Sequence, residues 1–284
     1  MAKFVLSAFA DEYSPEIDKQ IEGLKANGIG MLEIRGVDGT NIADISEEKA
    51  REVKAKFDAN GIKVSCIGSP IGKIKISDPF EPHLEKLRHV IKLAKIFGTK
   101  KIRMFSFYPD NTEQKMSDIR DEVMKRLSAM LEIAEAEGVL LCHENERGIY
   151  GDSVERCLEI QKEFGGRIKC VFDPANYICM GDEPYPYGYN TLKTHILYFH
   201  IKDAYGEARI VPTGEGYGRI PEMLADVDRD FDGEVILTLE PHLTVFKGLA
   251  VLEHKKEGEI IKEYSSGEEA FKVAADALKK YIRL

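Results

Sequence analysis

The sequence has no run of about 18 apolar residues, so no helix is expected to cross a membrane. It is short of positive charge: 40 Lys and Arg stand against 49 Asp and Glu, a net charge of −9. Nucleic acids and anionic membranes attract basic surfaces, so neither is expected as a partner. Cysteine is sparse. Cys66, Cys142, Cys157, Cys170 and Cys179 are odd in number and form no Cys-x-x-Cys, which argues against a disulfide framework. Cys66, Cys142 and Cys170 fall in apolar runs, where a free thiol behaves as a small hydrophobe. A reducing cytoplasm is the expected compartment. The opening Met-Ala-Lys-Phe-Val-Leu-Ser-Ala-Phe-Ala has one positive side chain and runs straight into Asp11-Glu12. It reads as a first strand and not as a targeting segment. No linker or shift of composition divides the chain, so residues 1–284 are expected to form one domain.

What is present is alternation. Strand-like runs at 3–9, 31–35, 63–67, 101–107, 139–144, 168–173, 196–201 and 235–240 are separated by helix-like segments. The helical stretches carry start and stop signals: Ser46-Glu-Glu-Lys opens one, and Gly28, Gly61, Gly98 and Gly138 close others. After the sixth run comes a Pro/Tyr-rich stretch, expected as a loop, with a short helix near 188–194. Gly214-x-Gly-x-Gly reads as a flexible loop; it follows no first strand, so it carries no dinucleotide-binding meaning. Eight βα units in 284 residues imply a closed parallel sheet, a (β/α)8 TIM barrel. The longest βα loops follow the sixth, seventh and eighth strands, on the face where barrel active sites lie.

Four residues end four successive strands: Glu144, Asp173, His200 and Glu240. A charged side chain closing a buried strand is costly unless paired or coordinated. In a barrel these four surround one mouth. Three carboxylates cannot all stay ionised at close range without a cation, and three oxygens plus an imidazole suit one divalent ion: Mn²⁺, Mg²⁺, Co²⁺ or Zn²⁺. Taken singly, each residue has a blander role. Asp173 opens an Asp-Pro turn, and His200 alone would be a satisfied core histidine.

The motifs His143-Glu-Asn145, Phe172-Asp-Pro-Ala-Asn176, His200-Ile-Lys-Asp203, Gly214-Glu-Gly-Tyr-Gly-Arg-Ile-Pro221 and Leu239-Glu-Pro-His242, in this order, resemble the xylose isomerase-like barrel superfamily. The resemblance covers nearly the whole chain and lies with the sugar isomerases, epimerases and inosose-processing enzymes. It implies that Glu144, Asp173, His200 and Glu240 hold one divalent ion. It also implies that Glu144 and Glu240 move the proton through a cis-enediolate. The strand order itself places these two glutamates three strands apart around the ring. Such chemistry needs a base beside the carbon and charge stabilisation on the oxygen. In one respect the chain departs from its relatives: Asn176 stands where many carry a histidine. Asparagine is a poor transition-metal ligand, which argues against the multi-zinc endonuclease IV type of DNA-repair enzyme.

Lys202, Arg209, Asn145, Glu146 and Asn176 are the candidate substrate contacts. Lys202 follows His200 by two and shares its side of the strand. Glu33, Arg35 and His143 read as an ordinary polar network, and His242 as a loop-bonding residue. Tyr185, Tyr187 and Tyr189 suit a pocket wall or a subunit contact. Phe246 and Leu249 make a homodimer plausible. The expected function is a metal-dependent isomerase or epimerase of a small sugar or polyol ketone. An inosose-type dehydratase on the same site is the alternative, and a non-catalytic binding barrel is a third.

Overall fold

The computed structural model describes residues 1–206, 209–244 and 264–283. Eight strands form one sheet: β1 (Ala2–Ala8), β2 (Met31–Ile34), β3 (Lys63–Ile67), β4 (Lys101–Met104), β5 (Leu140–Glu144), β6 (Lys169–Phe172), β7 (Ile196–Ile201) and β8 (Gly233–Leu239). Every pairing in the sheet is parallel, in the order β1-β8-β7-β6-β5-β4-β3-β2. The two ends of that order, β1 and β2, lie against each other, so the barrel is nearly closed. The helices are α1 (Ile17–Ala26), α2 (Glu47–Ala59), α3 (Phe80–Phe97), α4 (Met116–Ala136), α5 (Val154–Glu163), α6 (Pro174–Met180), α7 (Tyr189–Leu192), α8 (Ile220–Asp230) and α9 (Gly267–Lys279). This is the eight-unit architecture that the alternation implies.

Local chemistry sets the boundaries. The Ser46 and Ser266 side chains cap α2 and α9 by accepting the amides of Lys49 and Glu269. Gly98 ends α3 in the left-handed conformation at φ 75°. Strand alternation then sorts side chains into two layers. On β7, Phe199 and Ile201 pack outward beneath the helices, while Tyr198 and His200 point the other way. Cys66, Cys142, Val171 and Tyr198 form a separate apolar plug inside the barrel, below the mouth. All five cysteines are free thiols. Among the described residues, no helix is long and apolar enough to cross a membrane.

Three expectations are corrected. The fourth strand ends at Met104 and not at residue 107. Beyond it, Phe105 and Phe107 donate their amides to Ile71 and Gly72 carbonyls at 2.8 and 3.0 Å, bending the chain over the barrel. Gly72 permits this approach: a Cβ there would lie 2.0 Å from the Phe105 carbonyl oxygen. Secondly, the stretch after the sixth strand is not a loop. Only Asp173 separates β6 from α6, because its side chain accepts the Asn176 amide and Pro174 starts the helix. Thirdly, the Gly214–Gly218 segment is pinned. The Asp203 carboxylate accepts the amides of Ala204, Gly214, Gly216 and Gly218 at 2.9–3.1 Å. A Cβ on Gly216 would meet Asp203 Oδ1 at 2.3 Å, which is why the segment is glycine-rich. Phe246 and Leu249 lie outside the described residues.

Candidate metal centre

Glu144, Asp173, His200 and Glu240 converge at the C-terminal mouth. One ligand atom from each lies within 4.8 Å of the others, and all four side chains are buried. Glu144 ends β5, His200 lies within β7, and Asp173 and Glu240 directly follow β6 and β8. The parallel register brings them level, and Glu240 donates its amide to the Ile201 carbonyl at 3.2 Å.

His200 sits between two carboxylates. Its Nδ1 is 2.8 Å from Glu144 Oε1 and its Nε2 is 3.0 Å from Glu33 Oε2. Phe9 meets the ring edge-on at 5.1 Å. Burial pushes the imidazole pKa down, but Glu144 and Glu33 together raise it well above its ordinary value. Glu33 also accepts a hydrogen bond from the Tyr198 hydroxyl at 3.2 Å. When Nε2–H donates to Glu33, the Nδ1 lone pair faces the other ligands, the arrangement that orients a metal-binding histidine.

The carboxylates differ. Glu144 Oε2 lies 3.2 Å from Arg103 Nη1. Burial raises its pKa, but His200 and Arg103 more than offset this and hold it at about 2. Asp173 is divided between two tasks: Oδ1 caps α6, and Oδ2 lies 2.8 Å from Lys202 Nζ. Burial pushes its pKa up to about 7 against the pull of Lys202, helped by Glu240 and Glu144. Glu240 Oε1 meets Arg35 Nη1 at 3.1 Å and His242 Nε2 at 3.2 Å, while Oε2 meets Lys202 at 3.1 Å. Burial opposes its ionisation, yet Lys202 and His242 keep it well below the usual carboxylate range.

These four residues fit a divalent cation. Glu144 Oε2 and Asp173 Oδ2 are fully buried, and each has a cation nearby, but neither accepts a directed hydrogen bond. Inward-facing oxygens with spare lone pairs, next to an imidazole, are the donor set of such an ion. A second acidic group, Glu12, Glu240 and His242, lies beside the first. Its centre already holds a cation, because Arg35 reaches Glu12 at 3.2 Å, Glu240 at 3.1 Å and Asp11 at 2.9 Å.

The candidate substrate contacts separate into three groups. Lys202 is in the cluster. Asn145 and Asn176 border it but hold the backbone together. Asn145 Oδ1 accepts the Asp173 amide and Nδ2 donates to the Asp173 carbonyl, both at 2.9 Å, while Asn176 Nδ2 donates to the Asn145 carbonyl at 2.8 Å. Asn145 therefore positions Asp173. Glu146 pairs with Lys73 at 2.8 Å near the mouth. Arg209 is exposed on the hairpin formed by Asp203–Tyr205 and Arg209–Val211, apart from the described partners of the four. His143 is buried against the Ser106 hydroxyl at 2.9 Å, with its pKa lowered to about 4 by burial, as an ordinary core histidine. Sequence reasoning missed the part played by Asp11, Glu12, Glu33, Arg35 and Arg103. The signal was available: each is a charged residue within or just after one of the buried strands β1, β2 and β4.

A model of the family described as xylose isomerase-like TIM barrel matches residues 21–280. No curated protein matches the chain. Among solved structures, it is similar to the probable 3-DHS dehydratase AsbF of Bacillus anthracis, at 17% identity and a TM-score of 0.73, covering 98% of this chain and 99% of that one. It is also similar to the IolI protein with a bound zinc atom, at 17% identity and TM-score 0.71 over 99% of this chain and 100% of that one. The apo 3-keto-D-glucoside 4-epimerase YcjR of E. coli shares 15% identity at TM-score 0.68, over 99% of each chain. At these identities the structural likeness speaks for the fold, and the family match covers most of the sequence: the chain belongs to the xylose isomerase-like TIM barrel family.

Proposed function

We propose that the protein is an isomerase or epimerase of a small sugar or polyol ketone, dependent on one divalent ion. The observation that carries this reading is the buried set of three carboxylates and one imidazole, with ligand atoms within 4.8 Å of one another. The zinc described in the IolI structure and the epimerase activity in the name of YcjR support it. An ion held by Glu144, Asp173, His200 and Glu240 would supply charge stabilisation for the carbonyl oxygen and neutralise the carboxylates.

The chain's own groups move the proton. Glu144 and Glu240 come from strands three apart in the ring and act from opposite sides of the substrate. Glu144 takes the proton from the carbon beside the carbonyl on a carboxylate oxygen not engaged by the ion. Glu240, once protonated from solvent, delivers a proton to the other face, and Glu144 releases the one it took to solvent, so the protons balance. His200 and Arg103 beside Glu144, and Lys202 and His242 beside Glu240, keep both glutamates ionised and ready as bases. His200 is held in orientation by Glu33 and positions the ion. The Tyr198–Cys66–Cys142 plug closes the barrel floor to water.

A second reading is a dehydratase, favoured by the likeness to a protein named as a probable dehydratase. It would use the same proton abstraction and then expel a β-hydroxyl. Ketoses and inososes incubated with the protein and Mn²⁺ in D₂O, followed by mass spectrometry, decide between them. Deuterium uptake without loss of mass is expected. A product lighter by one water assigns the dehydratase, and the absence of uptake with every ketone sinks both readings.

A further inference from the structure

Lys202 is tied to the site differently from its neighbouring cations. Arg35 is also gripped by Asp11 and Glu12, and Arg103 by the Gly68 carbonyl at 3.2 Å. Both ion pairs of Lys202 are to candidate ligands, Asp173 Oδ2 at 2.8 Å and Glu240 Oε2 at 3.1 Å. Those two oxygens are the ones an incoming ion needs. Asp173 Oδ1 is occupied by the Asn176 amide, and Glu240 Oε1 by Arg35 and His242.

We propose that Lys202 is a place-holding cation, whose ammonium and a divalent ion compete for Asp173 Oδ2 and Glu240 Oε2. The proposal rests on reading the four residues as an ion site. Without an ion, the three carboxylates each have a cation beside them: Arg103 for Glu144, Lys202 for Asp173, and Arg35 with Lys202 for Glu240. The barrel mouth therefore stays folded while metal-free. An ion adds two positive charges, and one resident charge has to leave. The guanidiniums are fixed as forks between several acceptors, whereas a lysine swings on a flexible four-carbon stem. It also has a destination. Glu146 already acts on Lys202 through its charge and lies on the same mouth, 2.8 Å from Lys73. The ammonium moves with its proton, and the only proton the ion would displace is the one that His200 Nδ1 shares with Glu144, which leaves to solvent.

The test uses the full chain, stripped with chelator and titrated with Mn²⁺ by calorimetry, alongside Lys202→Met and Lys202→Gln. Both variants are expected to bind Mn²⁺ about tenfold more tightly than the parent, within the range by which neighbouring groups tune metal affinity. Their metal-free forms should melt lower than the parent, and Mn²⁺ should raise their melting temperatures by more. A variant that folds only with Mn²⁺ supports the proposal. Unchanged or weaker binding by a folded variant, with a parent that binds, overturns the proposal and leaves the ion-site reading standing. A parent that binds neither Mn²⁺, Co²⁺ nor Zn²⁺ overturns the ion-site reading and this proposal with it.

Discussion

The two halves of the barrel divide the mouth unequally. Strands β5–β8 supply Glu144, Asp173, His200 and Glu240, the residues with ligand atoms. Strands β1–β4 and their loops supply Asp11, Glu12, Glu33, Arg35 and Arg103, which surround those four with ion pairs and hydrogen bonds. Arg35 and Arg103 both lie over the Phe9 ring, at 4.3 and 5.1 Å, so one aromatic from β1's end braces both guanidiniums. All four clustered residues thus come from the second half, whereas their support comes from both, since Asn145, Lys202 and His242 join the first-half residues. A change at Glu144 or Glu240 is expected to read out in turnover, and a change in the first half in stability or ion affinity.

The largest effect tests the second half. Glu144→Gln and Glu240→Gln should each reduce solvent hydrogen exchange into substrate by about 10²–10⁴-fold, the contribution of a positioned general base. Exchange surviving in both variants would remove the two-glutamate mechanism. Next comes the first half. Arg103→Met leaves Glu144 and Glu33 buried beside no guanidinium and should lower unfolding free energy by about 3–5 kcal/mol. Denaturant titration measures this; full stability with lost turnover would break the division. Glu33→Gln sharpens it, since Glu33 acts through His200. Mn²⁺ affinity should weaken by about 10–100-fold, read by calorimetry, and an unchanged affinity would make Glu33 a bystander.

The smallest effect lies outside the cluster. His83 accepts the Gly72 amide on Nε2 at 2.8 Å, and burial, with Lys86 and Arg126, lowers its pKa from 6.5 to about 4. The unfolded chain therefore binds the extra proton between these values. The stability that neutral His83 lends is complete above pH 6.5 and is lost as pH falls through that window to about 4. Melting curves from pH 7 to 4, compared with His83→Leu, isolate this part, because the variant lacks that slope.

The four clustered residues were readable because each ends an apolar run with a charged or imidazole side chain. The strands Lys63–Ile67 and Ile196–Ile201 were readable to the residue for the same reason, an apolar run bounded by polar or glycine signals. The supporting residues were passed over although apolar neighbours flank Glu33 and Arg103, Leu32 and Ile34 on one and Ile102 and Met104 on the other. Glu33 and Arg35 read as an ordinary polar network, and the neighbouring strands bury them to 0% and 5% exposure. Helix α6 was hidden for another reason. Pro174 and the tyrosines beyond it suggest a turn, but Pro is welcome at a helix's first position when an aspartate caps it. The role of Lys202 depends on a distance across two strands, and spacing along one strand carries no such information.

The junction between β6 and α6 has a consequence for how such a barrel diversifies. One residue, Asp173, is the whole connection, and its two oxygens serve a helix start and the mouth at once. Barrels commonly acquire new specificities by lengthening the loops on this face. Here that freedom is missing. An inserted residue would turn Oδ2 away and uncap α6 in the same step, so this junction is locked in length.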